Sequence, residues 1–135
     1  MTEELIVDQI ISLKNRCDLD SLIGRRLRLS PREVSCIYLL DGNPLNSKAL
    51  SEMMGVSPSR GSRIIHRLEM KGFVVSRYDS EDRRNQVIEL SPKGESCLPE
   101  LDREKRACEG RFLDSLSADE IEKVRQGIKI LLQAM

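Results

Sequence analysis

The sequence predicts a mainly α fold carrying one small β-hairpin, with helices at both ends of the chain. Three observations lead there. Apolar residues recur at spacings of three and four through most segments, a Ser-Pro pair offers a helix start at Ser30, Ser57 and Ser91, and segments 73–78 and 86–90 have strand character. With 135 residues the chain suits a single domain, provided its helices pack on one another or on a partner. Aromatic residues make up 3% and Trp is absent, so the core must rest on Leu, Ile, Val and Met.

From the N-terminus, residues 3–16 place Ile6, Ile10, Leu13 and Cys17 on one helical face, but after Asp18 the stripe shifts to Leu19, Leu22, Ile23 and Leu27. A kink or break near Asp18 follows. A second helix or a continuation then leads through Arg25, Arg26 and Arg28, a cluster suited to a phosphate or an anionic effector, although a solvated helix face is the commoner meaning of such a run. Ser30 and Glu33 form a capping box and Leu29 and Val34 a hydrophobic staple, starting a helix that runs to about Leu40.

Asn46 caps the next helix. Ala49, Leu50, Met53 and Met54 form its apolar stripe, Gly55 supplies a left-handed stop, and Ser51 is small enough for a close crossing. Paired methionines can bind soft metals, but at helical spacing core filling is the stronger reading, so both are assigned to the core. Ser57 and Pro58 then begin a helix that reaches about Lys71 and ends at Gly72. Ile64, Ile65 and Leu68 mark its buried face, whereas Ser59, Arg60, Ser62, Arg63 and Arg67 face elsewhere.

Residues 73–78 and 86–90 pair as a hairpin, the second sending Ile88 and Leu90 to one side. Its turn, 79–85, is too polar to bury and carries Asp82, Arg83 and Arg84. Ser91-Pro92 opens a further helix with Leu98, Leu101, Cys108, Phe112 and Leu113 on its apolar side. Pro99 should kink it, because the ring removes one hydrogen bond and meets the carbonyl of Glu95. Ser117 and Glu120 repeat the capping box, Leu116 and Ile121 the staple, and Ile121, Val124, Ile128 and Leu131 stripe the last helix. Such terminal helices have little to cover them unless a second chain does.

Two short helices joined by Gly55-Val56-Ser57 and followed by a charged hairpin form a winged helix-turn-helix. A major groove admits one helix, Arg can pair with guanine, and Ser reaches base edges or phosphates. Pro58, Ser59, Arg60, Ser62, Arg63 and Arg67 are the expected recognition-helix contacts, concentrated in its first turns. An arginine at the wing tip can enter a narrow minor groove, where the negative potential is enhanced. The formal net charge is zero, yet Arg60, Arg63, Arg67, Lys71 and Arg77 face only Glu69 between 57 and 77, and acidic residues gather toward the C-terminus. The basic charge is therefore local, as one DNA face beside an acidic body requires.

Val56-Ser57, Arg63, Arg67-Leu68-Glu69, Lys71-Gly72, Val74, Arg77, Asp82-Arg83-Arg84, Ile88, Leu90-Ser91 and Gly94 together resemble the MarR family of winged-helix transcription regulators. The resemblance is strongest over 29–94, and its most specific part is the wing. It implies that Arg84 is the minor-groove arginine, that Asp82 holds the wing in place, and that both chain ends build a homodimer. It also implies a long helix after the wing, where Pro99 departs from the pattern. Residues 1–28 and 95–135 would be dimerisation helices around a winged helix-turn-helix at 29–94, all in one domain.

Likeness to this family further implies a repressor on double-stranded DNA, released from a pseudo-palindromic operator by a small phenolic or lipophilic effector or by cysteine oxidation. Cys17 is the redox candidate, near the position of a reactive cysteine in peroxide-sensing relatives. Arg16 favours its thiolate and Asp18 opposes it. The tyrosines that support such a cysteine have no counterpart beside it, the only ones being Tyr38 and Tyr78. Burial without reactivity is the plainer expectation for Cys17, Cys36, Cys97 and Cys108 alike.

Several classes are disfavoured. The acidic N-terminus, with Glu3, Glu4 and Asp8, does not suit a signal peptide, and no apolar run reaches membrane-spanning length, so a cytoplasmic protein is expected. The cysteines lack Cys-x-x-Cys spacing and the one histidine, His66, sits in the recognition helix, so no metal or other cofactor is expected. No Gly-Lys phosphate loop and no Ser or Cys with an evident His partner speaks for an enzyme. Exposed aromatics for stacking single-stranded RNA bases are scarce. The alternative retained is a winged-helix module that binds protein rather than specific DNA.

Overall fold

The computed structural model describes residues 3–16, 23–81 and 85–135. Its elements are α1 (Ile6–Arg16), a 3-10 turn (Arg25–Leu27), α2 (Pro31–Leu39), β1 (Leu45–Asn46), α3 (Ser47–Met54), α4 (Pro58–Met70), β2 (Val74–Tyr78), β3 (Gln86–Leu90), α5 (Pro92–Leu113) and α6 (Ala118–Ala134). The fold is thus mostly helical with a small antiparallel sheet, as the periodicity predicted.

The helix starts are set by local chemistry. Ser30 Oγ accepts from the Glu33 N–H at 3.2 Å while Glu33 Oε1 accepts from the Ser30 N–H at 3.1 Å, and Ser117 with Glu120 repeats the arrangement. Asn46, Ser57 and Ser91 each accept from the backbone N–H three residues on, satisfying a donor that the helix itself leaves open. Gly55 and Gly72 take left-handed conformations, at φ 68 and 85, and close α3 and α4.

The sheet has three strands, in the order β1-β3-β2, with Leu45 opposite Ile88 and Val74 opposite Leu90. β1 is an addition to the expected hairpin. At two residues it is too short to show alternation, and its Asn46 is also the N-cap of α3. Ile37, Leu50, Ile64, Leu68, Ile88 and Leu101 are fully buried, so α2 to α5 and the sheet share one core. Gly94 seats α5 against that sheet, since a Cβ there would run into the Phe73 carbonyl.

Four expectations change or are resolved. Met54 is buried but Met53 is 57% exposed, because α3 turns Leu50, Ser51 and Met54 inward and leaves no room for Met53 on the same face. After Gly24 the chain makes only a 3-10 turn through Arg25 and Arg26 rather than a helix, closed by a Leu29 N–H to Gly24 carbonyl bond of 3.0 Å. Lys71 is not an open cation beside the arginines of α4, because Glu33 and the Arg28 carbonyl hold it. Pro99 does not break its helix: α5 runs through it from Pro92 to Leu113. The kink proposed near Asp18 lies outside the described residues.

α1 and α6 bury none of their residues within the chain. Ile6, Leu13, Ile128 and Leu132 are each more than half exposed, whereas the helices between them supply the core.

Candidate nucleic-acid interface

The interface begins with the crossing of α3 and α4. A Cβ on Gly61 would overlap the Ser51 side chain, and Ser51 turns its hydroxyl back onto the Ser47 carbonyl at 3.0 Å. These two small residues let the helices approach closely enough to form a rigid helix-turn-helix. Sequence reading found Ser51 but not Gly61, whose position one turn into α4 and three residues before the buried Ile64 was the available signal.

Packing of Ile64, Ile65 and Leu68 into the core turns the opposite side of α4 outward. Pro58, Ser59, Arg60, Ser62, Arg63 and Arg67 are all exposed there, as is His66. Ser57 Oγ lies 3.3 Å from Ser59 Oγ, placing two hydroxyls together at the N-terminal end. Among the described residues none of Arg60, Arg63 and Arg67 enters an ion pair. Their guanidiniums therefore keep their donors for a ligand.

The other two cations of the basic run have internal partners. Lys71 Nζ lies 2.8 Å from Glu33 Oε2 and donates to the Arg28 carbonyl at 2.8 Å, anchoring the end of α4 to α2 and to the turn before it. Burial disfavours the charged form of Glu33, but hydrogen bonds from Lys71 and Ser30 outweigh it and hold the carboxyl below its ordinary range. Arg77 lies 3.9 Å from Glu89 across β2 and β3, a well-solvated contact of little energetic weight. Among the described residues of the basic run, Arg60, Arg63 and Arg67 are the exposed arginines outside any ion pair.

At the wing base the Asp79 N–H donates to the Asn85 carbonyl at 2.9 Å, and Asp79 Oδ1 accepts from the Glu81 N–H at 3.0 Å. Asp82, Arg83 and Arg84 lie outside the described residues. A groove of about 300 Å³ joins this base to both helix starts and is lined by Ser47, Lys48, Pro58, Ser62, Asn85 and Gln86. Lys48 was not anticipated. A lysine in the first turn of the scaffold helix, beside the recognition helix, was the available clue.

Cys36, Cys97 and Cys108 are buried. Burial, with Glu33 nearby, pushes the Cys36 thiol up to about 12, and burial likewise raises Cys97. Cys17 lies outside the described residues. No group of three or more His, Cys, Asp or Glu is placed to hold a metal ion among the described residues.

The sequence model of the MarR family matches residues 29–85. The chain is 30% identical over 111 residues to the uncharacterized HTH-type transcriptional regulator YfiV of Bacillus subtilis (strain 168), covering 82% of this chain and 69% of that one. With YwaE of the same organism, also an HTH-type transcriptional regulator, identity is 27% over 84 residues, or 62% and 48% of the two chains. The MarR transcriptional regulator of Methanosarcina mazei Go1 superposes with a TM-score of 0.86 at 17% identity, over 98% of this chain and 96% of that one. Wild-type MarR of E. coli in its apo form gives 0.80 at 17%, over 97% and 99%. The described winged helix-turn-helix, the family match across it and the identity to YfiV lead to one conclusion: the chain belongs to the MarR family and is a transcription regulator that binds DNA.

Proposed function

We propose that the chain is a homodimeric, sequence-specific regulator of double-stranded DNA that represses from a pseudo-palindromic operator, one α4 per half-site. The observation that carries this reading is the exposed row of Ser59, Arg60, Ser62, Arg63 and Arg67 on a helix whose other side is fixed in the core. Pro58 starts that row, and Asp82, Arg83 and Arg84 are assigned to the wing contact on sequence grounds alone. Arginines at the start of α4 read base edges, while the wing reads groove width.

The unburied apolar faces of α1 and α6 support assignment of residues 1–28 and 95–135 to dimerisation and of 29–94 to DNA. Two-fold symmetry then requires a two-fold operator. Release follows a small effector or oxidation of Cys17, since burial suppresses the Cys36 and Cys97 thiolates. No helix of the described residues is long and apolar enough to cross a membrane, which fits action on DNA in the cytoplasm. Regulation without catalysis or a cofactor completes the reading.

Fluorescence anisotropy with the DNA upstream of the protein's own gene, a scrambled duplex and a salt series tests it, before and after peroxide. Preferential, salt-sensitive binding to the upstream DNA is expected, the salt slope reporting the phosphates neutralised. Equal affinity for both duplexes at every salt concentration would overturn specific recognition there. Complete absence of binding to either would favour a protein-interaction module. Reversible loss of binding on oxidation would make Cys17 the sensor candidate, and indifference to peroxide would point to a small ligand.

A further inference from the structure

The arginines before α2 acquire a meaning in the fold that they lack in the sequence. Arg25 and Arg26 on the 3-10 turn form one side of a groove of about 400 Å³, and Arg103 and Arg111 of α5 form another. Arg28, their neighbour in sequence, does not line it. Four arginines from segments far apart in the chain thus line one groove, beside Glu100 and Glu104. Among the described residues none of the four is in an ion pair, and Glu104 is already engaged, accepting the Gly24 N–H at 2.7 Å.

We propose that this groove binds a small molecule bearing two linked phosphate groups and that its occupancy regulates DNA binding. Guanidiniums give charge-assisted, often bidentate hydrogen bonds to phosphate oxygens, and several arginines lining one groove from two segments suit a polyanion better than a single carboxylate.

The groove wall is also connected to the recognition helix. Gly24 holds one end of the 3-10 turn to α5 through Glu104, and the Arg28 carbonyl at the other end accepts from Lys71, at the end of α4. An anion bridging the turn to α5 acts on a segment that touches both elements. Only this regulatory step rests on the regulator reading. Binding of the anion does not.

Isothermal titration calorimetry of the full chain with magnesium-free inorganic pyrophosphate, at constant ionic strength, tests the site directly. Saturable binding is expected. It should weaken about tenfold in Arg25→Gln/Arg26→Gln and equally in Arg103→Gln/Arg111→Gln, and remain unchanged in the control Arg125→Gln/Lys129→Gln. No binding, or equal weakening in the control, would overturn the proposal. Anisotropy with operator DNA then separates the sources of phosphate. If the Arg103→Gln/Arg111→Gln pair retains operator affinity in the absence of pyrophosphate but loses the shift that pyrophosphate causes in the parent, the ligand is a free small molecule. If that pair instead weakens the operator complex and lowers its salt slope without pyrophosphate, the groove holds the DNA backbone and the small-molecule assignment fails. Pyrophosphate binding that leaves operator affinity unchanged in the parent would overturn the regulatory step alone.

Discussion

At Glu33 one carboxylate caps α2 and receives the ammonium that ends the recognition helix, so a local signal and a tertiary contact share the same two oxygens. Glu33→Gln keeps the shape and a capping acceptor but removes the ion pair. With Lys71 35% exposed on its side chain, the loss should fall below that of a fully buried pair, at about 1–3 kcal/mol near neutral pH. Because the folded carboxyl titrates below its ordinary 4.5, the contribution is complete above that value and disappears as pH falls through the folded pKa. Urea unfolding of parent and variant across pH should therefore converge in acid. A difference that persisted unchanged in acid would mean that the ion pair is not its source. Among the exposed arginines, Arg63→Ala should cost about 1–3 kcal/mol on the operator and relax base preference, measured by anisotropy on base-substituted duplexes. Equal losses on operator and random DNA would make Arg63 a phosphate anchor.

Between elements, the α3–α4 crossing depends on two residues without bulk. Gly61→Ala would force its Cβ onto Ser51 and should destabilise the fold by about 1–3 kcal/mol, read as a lower melting temperature. Ser51→Gly in the same chain should return part of that loss, and failure to do so would place the strain elsewhere. The wing is a separate reader. Arg84→Ala should weaken binding most on operators with narrow A·T-rich flanks. The same loss on every flank would make Arg84 a general phosphate contact, and no loss on any would remove the wing from recognition.

Across the whole molecule, the core lies in the middle of the sequence while both ends carry apolar faces that the chain itself does not cover. Ile128 is 55% exposed in the single chain. Ile128→Asp should place a charge in the dimer interface and shift sedimentation toward monomer while leaving the winged helix folded by circular dichroism. Operator affinity would fall with it, because two half-sites would no longer be engaged together. A variant that stayed fully dimeric would take this face of α6 out of the interface.

Where the controlling physics was local, the sequence determined the outcome by itself. Ser-Pro and Asn starts, two capping boxes, left-handed glycines and the apolar stripe Ile64, Ile65 and Leu68 set the start of every helix from α2 to α6 within about a residue or two, together with the ends of α2 to α4 and the hairpin. The exposed polar row of α4 followed from the same periodicity. Tertiary structure decided what depends on distant neighbours. It paired β1 with β3, turned Met53 outward, gave Lys71 to Glu33 and Arg28, and brought Arg103 and Arg111 into one groove with Arg25 and Arg26. The physical reason is range. Caps and stripes act within one or two helical turns, whereas the fate of a charge or a marginal apolar residue is set by whichever surface the fold places against it.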